Sequence, residues 1–378
     1  MTICMIGPSY PFRGGIAHYM TLLYRYLKEK HDVKFYAFKR QYPKRLFPGR
    51  TDRDASGFAI RGEGVENTLD SVNPLTWWTT FRRIKSDNPD LVVIPWWISF
   101  WTPQFWFITS LIRAFTKAKV LFICHNVVQH ESKPWDRICT RLVLRNGDHF
   151  IVHSSEDLDR LRDMLPDADV RKVFHPIYDV FCFQRYGKAE AQRKLGVSER
   201  VILFFGFVRP YKGLRYLLDA MPLILERLDV TLMVAGEFWS DKAEHLERID
   251  RLGIRDKVVI VDEYIPNEEV GLYFCAADVV VLPYVTATQS GIVQIAYGFD
   301  KPVIVTEVGG LPDVVEHGKT GFLIDPEDPQ AIAEAVILFY EGGYEQILVK
   351  GVRDAKGRFS WDRLVEVISS VGEAKRRT

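Results

Sequence analysis

The chain has no excess of either charge. Its 50 Lys and Arg stand against 49 Asp and Glu, a formal net charge of +1. That balance excludes the broad electrostatic footprint of a protein that binds nucleic acid in bulk. Cysteine is scarce, with five in 378 residues. Cys4, Cys124, Cys139, Cys182 and Cys275 lie far apart, with no metal-ligand spacing, and an odd count argues against a disulfide framework. Reduced, mostly buried thiols of a cytosolic protein are the expectation. Long apolar runs are also missing. The best stretch, Leu91 to Phe115, is broken by Pro95, Thr102 and Pro103 and carries Gln104 and Arg113. A spanning helix wants about 20 unbroken apolar residues. The first residues show no charged stub ahead of an apolar block, so no secretory signal is expected.

What is present is an ordinary globular composition, 47% hydrophobic and 26% charged, in a length that suits two domains or one large one. The central stretch is 281–313. Val279 to Leu282 reads as a strand covered on both faces. Thr286, Thr288 and Ser290 offer hydroxyls to cap the helix that follows. A strand ending in such a loop and helix start makes an anion site, because the first N–H groups lack partners and carry the positive end of the dipole. A phosphate-bearing ligand is therefore expected at this loop.

The first half opens the same way. Ile3 to Gly7 is a strand, Pro8 to Gly15 a turn, and Ile16, Tyr19, Met20, Leu23, Tyr26 and Leu27 recur at helical spacing. Gly14-Gly15 either lets the backbone approach a phosphate or simply makes a tight turn. Residues 1–50 hold ten Lys or Arg against Glu29 and Asp32, which suits an anionic ligand or membrane face. In 39–48 basic and aromatic residues alternate, as in a loop that meets lipid head groups or a phosphorylated acceptor, or as in a solvated loop with snorkelling side chains. Trp96, Trp97, Phe100 and Trp101 follow the strand at Leu91 to Ile94, and read as core, as a sugar- or lipid-facing platform, or as both. His125 ends the strand Lys119 to Cys124. It is placed either to contact a ligand or to serve the structure.

After His175-Pro176-Ile177-Tyr178-Asp179 the pattern restarts. Strands are expected at 201–205, 231–235 and 258–261, with helices between and after them, and a last helix from about Trp361. No Gly-x-Gly-x-x-Gly follows either half's first strand, which speaks against a dinucleotide oxidoreductase. Two open parallel sheets facing each other across a cleft are the expected α/β architecture.

Phe204-Phe205-Gly206-Phe207-Val208-Arg209-Pro210-Tyr211-Lys212-Gly213-Leu214, the block Gln289 to Asp313 with Lys301-Pro302-Val303-Ile304 and Gly309-Gly310-Leu311-Pro312, and Gly318-Lys319-Thr320-Gly321 carry a family likeness. Over nearly its whole length the chain resembles the family 4 glycosyltransferases of GT-B fold, two Rossmann-like domains across a deep cleft. The resemblance implies an acceptor-side domain at 1–178, joined by the C-terminal helix 360–378, and a nucleotide-sugar domain at 179–359. It implies Lys212 and Arg209 as cations on the departing diphosphate, Gly14 and Gly15 as backbone donors, and His125 against the transferred sugar. No Asp-x-Asp sits in a plausible metal position; Asp167-Ala168-Asp169 lies on a polar stretch. No metal and no cofactor are expected.

Two departures stand out. Phe207 follows Gly206 where the family often has Arg. The family's paired glutamates, eight residues apart, fall on Ala287 and Ile295, or on Thr288 and Ala296, depending on the register. Thr288, Gln289, Ser290, Gly291 and Gln294 are then expected to hold the sugar and ribose. The implied activity is retaining hexosyl transfer (EC 2.4). The donor would be a UDP- or GDP-sugar, and the acceptor a glycan or lipid-linked molecule in cell-surface polysaccharide or glycolipid synthesis. The implied setting is cytoplasmic, with peripheral contact to an anionic inner membrane face. The rival readings are a sugar-nucleotide 2-epimerase and a catalytically silent sugar-nucleotide-binding protein.

Overall fold

A computed structural model describes residues 1–43, 49–128, 134–197 and 199–373. The chain divides into two units, one of residues 1–55, 59–174 and 361–378, the other of 56–58 and 175–360.

The first unit is built on seven strands, β1 (Thr2–Gly7), β2 (Asp32–Arg40), β3 (Glu66–Asp70), β4 (Leu91–Trp96), β5 (Lys119–Cys124), β6 (His149–Val152) and β7 (Asp169–Lys172). All pair parallel, in the order β3-β2-β1-β4-β5-β6-β7. The helices are α1 (Gly15–Lys28), α2 (Pro74–Asp87), α3 (Thr102–Phe115), α4 (Pro134–Leu144) and α5 (Ser155–Met164). Central strands β4 and β5 are apolar along their length because helices cover both faces. The connection leaves β1 leftward to β2 and later returns to β4 on its other side. Between the carboxyl ends of β1 and β4 lies the switch point, where open α/β sheets leave a crevice.

Edge strands β3 and β7 carry no apolar alternation, since most of their residues meet solvent. The periodicity of the sequence does not reveal them, and Asp169, read as part of a polar surface stretch, is the first residue of β7. Its carboxylate lies 2.7 Å from His149 Nδ1. The described part of the 39–48 segment is accounted for by packing and pairing: Tyr42 rests on Phe100 and Trp101, and Arg40 pairs with Asp70 at 2.8 Å. Residues 44–48 lie outside the described residues. Of the aromatics at the end of β4 and after it, Trp96, Trp101 and Phe105 are core, while Trp106 is exposed.

The second unit has six parallel strands in the order β10-β9-β8-β11-β12-β13. In chain order its elements are α6 (Lys188–Leu195), β8 (Val201–Phe205), α7 (Leu214–Leu225), β9 (Thr231–Ala235), α8 (Lys242–Arg251), β10 (Val258–Val261), α9 (Val270–Ala276) and β11 (Val279–Leu282). There follow α10 (Gly291–Gly298), β12 (Val303–Thr306), α11 (Leu311–Val314), β13 (Gly321–Ile324), α12 (Pro329–Glu341) and α13 (Tyr344–Ala355). The switch point here lies between β8 and β11. Asp328 caps α12, accepting from the N–H of Gln330 and Ala331, as its Asp-Pro start foretells.

The last helix, α14 (Trp361–Glu373), belongs to the first unit. Trp361 stacks on Tyr26 of α1, centroids 5.4 Å apart and planes 6° from parallel, and leans on Tyr19 at 5.3 Å. Ser369 Oγ lies 2.8 Å from His31 Nε2. A Trp this buried in a two-ring contact contributes several kcal/mol. Trp361→Ala is expected to destabilise the protein by about 3 kcal/mol, read as a lower urea midpoint.

Candidate active site

The switch point of the second unit brings two loops together. After β8 the chain turns at Gly206 (φ +97°) and runs through Arg209 to Lys212 and Gly213 (φ +69°). After β11 it runs from Pro283 to Ser290 and enters α10. The loops touch through backbone: the N–H of Val285 donates to the carbonyl of Tyr211 at 2.7 Å. A Cβ on Gly213 would lie 1.8 Å from the carbonyl oxygen of Pro283. The left-handed conformation and this approach both require glycine. Ser290 caps α10, its hydroxyl accepting from the N–H of Ile292 at 3.3 Å and lying 3.3 Å from Tyr284 Oη.

Lys212 sits where these loops converge. A Cβ on Gly206 would lie 3.2 Å from both Lys212 Nζ and Ile292 Cδ1, so the ammonium lies beside the first turn of α10. It also lies 5.5 Å from the centre of the Tyr284 ring. The side chain is buried, and burial together with the nearby Arg209 charge lowers its pKa to about 8. Neither influence comes from an acid. A buried ammonium pressed only by desolvation and a second cation is poised for an anion. The Arg209 guanidinium stacks over Tyr211 and Trp239, 5.0 and 5.4 Å from the ring centres.

The remaining expected residues of this half lie in the second loop and the first turns of α10. Thr288 is buried, and its carbonyl accepts from the N–H of Gly310 at 3.1 Å. Gln289 precedes the cap, and Gly291 is the first residue of α10. Gln294, one turn on, is 1% exposed, and its side-chain oxygen has no hydrogen-bond partner among the described residues. A row of rings at the ends of β8, β9 and β10 is assembled from positions far apart in the sequence, so no local pattern marks it. Phe207 lies 4.6 Å from Trp239 and 6.3 Å from Tyr264, centroid to centroid. Phe207, where the family often has Arg, is part of this aromatic shelf.

In the first unit Gly14 and Gly15 occupy the turn between β1 and α1. Gly14 has φ +105°, and a Cβ there would meet nothing within 4 Å. No side chain caps α1. The turn is held by the N–H of Arg13 donating to Asp52 O and that of Asp54 to Pro11 O. Arg13, which the sequence reading passed over, is buried beside the glycines. His125 follows β5, its N–H donating to Trp96 O at 2.7 Å. Its ring is buried, edge-on to Tyr19 at 4.5 Å and 5.3 Å from His153. Burial lowers His153 to about 4, so it is neutral near pH 7 and its Nδ1–H donates to the carbonyl of Val173 at 2.8 Å. Among the described residues no group of three or more His, Cys, Asp or Glu is placed to hold a metal ion.

Two parallel-sheet Rossmann-like units, each with a glycine turn at its switch point, define an α/β protein of the GT-B class. Solved structures agree. Anabaena HepE in complex with UDP superposes with a TM-score of 0.75 at 18% identity over 98% of this chain and 99% of its own. Sucrose-phosphate synthase of Thermosynechococcus elongatus gives 0.74 at 17% over 98% of both chains. Residues 13–180 match the family described as Glycosyltransferase Family 4, and residues 199–341 match Glycosyl transferases group 1.

The chain belongs to these group 1, family 4 glycosyltransferases. An uncharacterized glycosyltransferase of Methanocaldococcus jannaschii is 34% identical over 47% of this chain and 46% of its own length. The D-inositol 3-phosphate glycosyltransferase of Corynebacterium glutamicum is 25% identical over 77% of this chain and 74% of its own. The match thus spans about half the length of the first relative and three quarters of the second.

The lowered pKa of Lys212 carries a signed prediction. Below about pH 8 the ammonium is charged in both folded and unfolded chains, so its burial penalty is present in full. Between about 8 and the ordinary lysine value the unfolded chain holds the extra proton, and stability rises with pH. Lys212→Met is expected to raise the ligand-free melting temperature at pH 7. That gain should shrink as pH climbs from 8 towards 10, as followed by calorimetry across the range.

Proposed function

We propose that the protein is a retaining hexosyltransferase that takes its sugar from a UDP- or GDP-sugar. The second unit would hold the donor, and the first would receive a glycan or lipid-linked acceptor in cell-surface polysaccharide or glycolipid synthesis. The observation that carries the reading is Lys212, a buried ammonium beside Gly206 and the first turn of α10, with no acid acting on it. Support for UDP over GDP comes from HepE, whose solved complexes are described as holding UDP and UDP-glucose.

In this reading the anomeric C–O bond to the diphosphate breaks and its electron pair goes to the departing phosphate. Lys212, Arg209 and the N–H groups at the start of α10 stabilise that growing charge. Thr288, Gln289, Ser290 and Gln294 hold the sugar and ribose, and the open oxygen of Gln294 accepts a donor hydroxyl. Gly14 and Gly15 present backbone N–H groups to the phosphates. His125 contacts the transferred sugar. The acceptor hydroxyl attacks on the face the leaving group vacates and passes its proton to the departing phosphate, so no protein base and no metal ion is required. The reaction would take place in the cytoplasm, at the inner face of the membrane.

Nucleotide binding tests the reading. UDP or GDP should raise the melting temperature, since a ligand that binds only the folded state stabilises it. Lys212→Ala should weaken nucleoside diphosphate binding about 10- to 100-fold, the loss of a charge-assisted contact. His125→Ala should bind the nucleotide normally and lose transfer. Absence of any nucleotide shift would favour a silent scaffold, and full turnover by His125→Ala would return that residue to a structural role.

A further inference from the structure

Large apolar side chains that meet solvent are unevenly spread. Eleven are exposed among the described residues, and seven of them fall between Val72 and Ile138, on or beside α2, α3 and α4. Right-handed crossovers put these three helices on one face of the first unit's sheet, opposite α1. They are contiguous. Trp77 of α2 lies 6.0 Å from Phe107 of α3, and Phe81 of α2 lies 6.2 Å from Phe115 and 5.6 Å from Trp78. Asn146, just past α4, donates to Thr109 and Ser110 of α3 at 3.0 and 2.9 Å. Leu75, Trp78, Trp106, Phe115, Trp135 and Ile138 project from this layer, Leu75 at 75% exposure and Ile138 at 70%.

The charge of the layer is one-sided. Arg82, Lys85, Lys117, Arg137 and Arg141 are exposed, and none forms an ion pair with a described residue. Arg83 pairs with Glu66 of β3, and Arg113 lies 3.7 Å from Asp148. The acids of the three helices, Asp87 and Asp136, are engaged elsewhere: Asp87 accepts from the Tyr36 hydroxyl and Asp136 from Ser99. Lys85 stands 5.6 Å over the ring of Phe115, pairing a cation with an apolar tip.

We propose that the α2–α3–α4 face is the surface by which this protein lies on an anionic lipid bilayer. Tryptophan and aliphatic tips enter the boundary between head groups and acyl chains, while Arg and Lys stay at the level of the lipid phosphates. The apolar tips are dispersed over three helices, which suits a fluid surface rather than one partner helix. A second copy is disfavoured, because a two-fold interface sets the same patch against itself and would oppose like charges. The proposal gives the membrane contact of the functional reading a location away from residues 39–48. It requires nothing of the donor site.

The full chain is tested by co-sedimentation with vesicles of phosphatidylcholine, with and without phosphatidylglycerol, together with light scattering for oligomeric state. Binding is expected only with phosphatidylglycerol, and it should weaken as salt rises. Arg82→Gln with Lys85→Gln should weaken it about 30-fold, the conversion of about 1 kcal/mol per basic residue. Trp78→Ser with Trp135→Ser and Ile138→Ser should abolish it at equal charge. Each variant should keep the wild-type melting temperature and nucleotide shift, so that loss of vesicle binding is separate from loss of the donor site. Failure of the wild type to sediment with anionic vesicles overturns the proposal, as does equal binding by both sets of variants. A solution dimer that the apolar substitutions split would instead make the face a contact between copies.

Discussion

A cation withheld from water, with no carboxylate of the described residues acting on it, is the constraint on which the second unit turns. Solvation favours Lys212 outside, and only the geometry of the two loops keeps it in. That geometry depends on backbone: glycine at 206 and 213 in left-handed conformations that side chains disfavour, the close approach of residue 213 to the Pro283 carbonyl, and a peptide hydrogen bond from Val285 to Tyr211 that ties the loops. The parallel sheet beneath supplies the rigidity. Strands β8 and β11 are buried along their length and part at their carboxyl ends, so the two loops begin from fixed points. Burial and the neighbouring Arg209 charge act in the same direction on this lysine, both disfavouring its ammonium form.

The first unit meets the same problem with different chemistry. Its glycine turn is clamped by backbone bonds to residues 52–54, with Arg13 buried alongside. Behind it His125, Tyr19, His153 and Trp361 form one chain of ring contacts. Through Tyr19 the seat of His125 is linked to α14, so a residue far along the chain bears on the packing of a candidate site residue.

Much of this was legible in the residues. Strands β5, β8, β9 and β11 stand where their apolar runs place them, because buried parallel strands are predominantly apolar; the edge strand β10 is partly exposed yet was legible from its run of β-branched residues. Of the three hydroxyls offered for the start of α10, Ser290 is the one that caps it. Edge strands β3 and β7 were not legible, being short and largely polar, with Leu69 the one fully buried apolar side chain between them. The shelf of Phe207, Trp239 and Tyr264 was not either, since three adjacent strands assemble it from distant positions. The near-neutral total charge also concealed the segregation on α2, α3 and α4, where both acids are engaged by neighbouring hydroxyls while Arg82, Lys85, Arg137 and Arg141 are left in solvent.

The return of α14 to the first unit has a consequence for biosynthesis. Residues 175–360 are continuous and hold six strands of their own, so nearly all of this unit's core is translated before residue 361. The unit that begins the chain must wait. The side of α1 that carries Tyr19 and Tyr26 stays uncovered until Trp361 emerges. The half translated first is thus the half completed last, and a nascent chain truncated before residue 361 would expose that aromatic surface to chaperones.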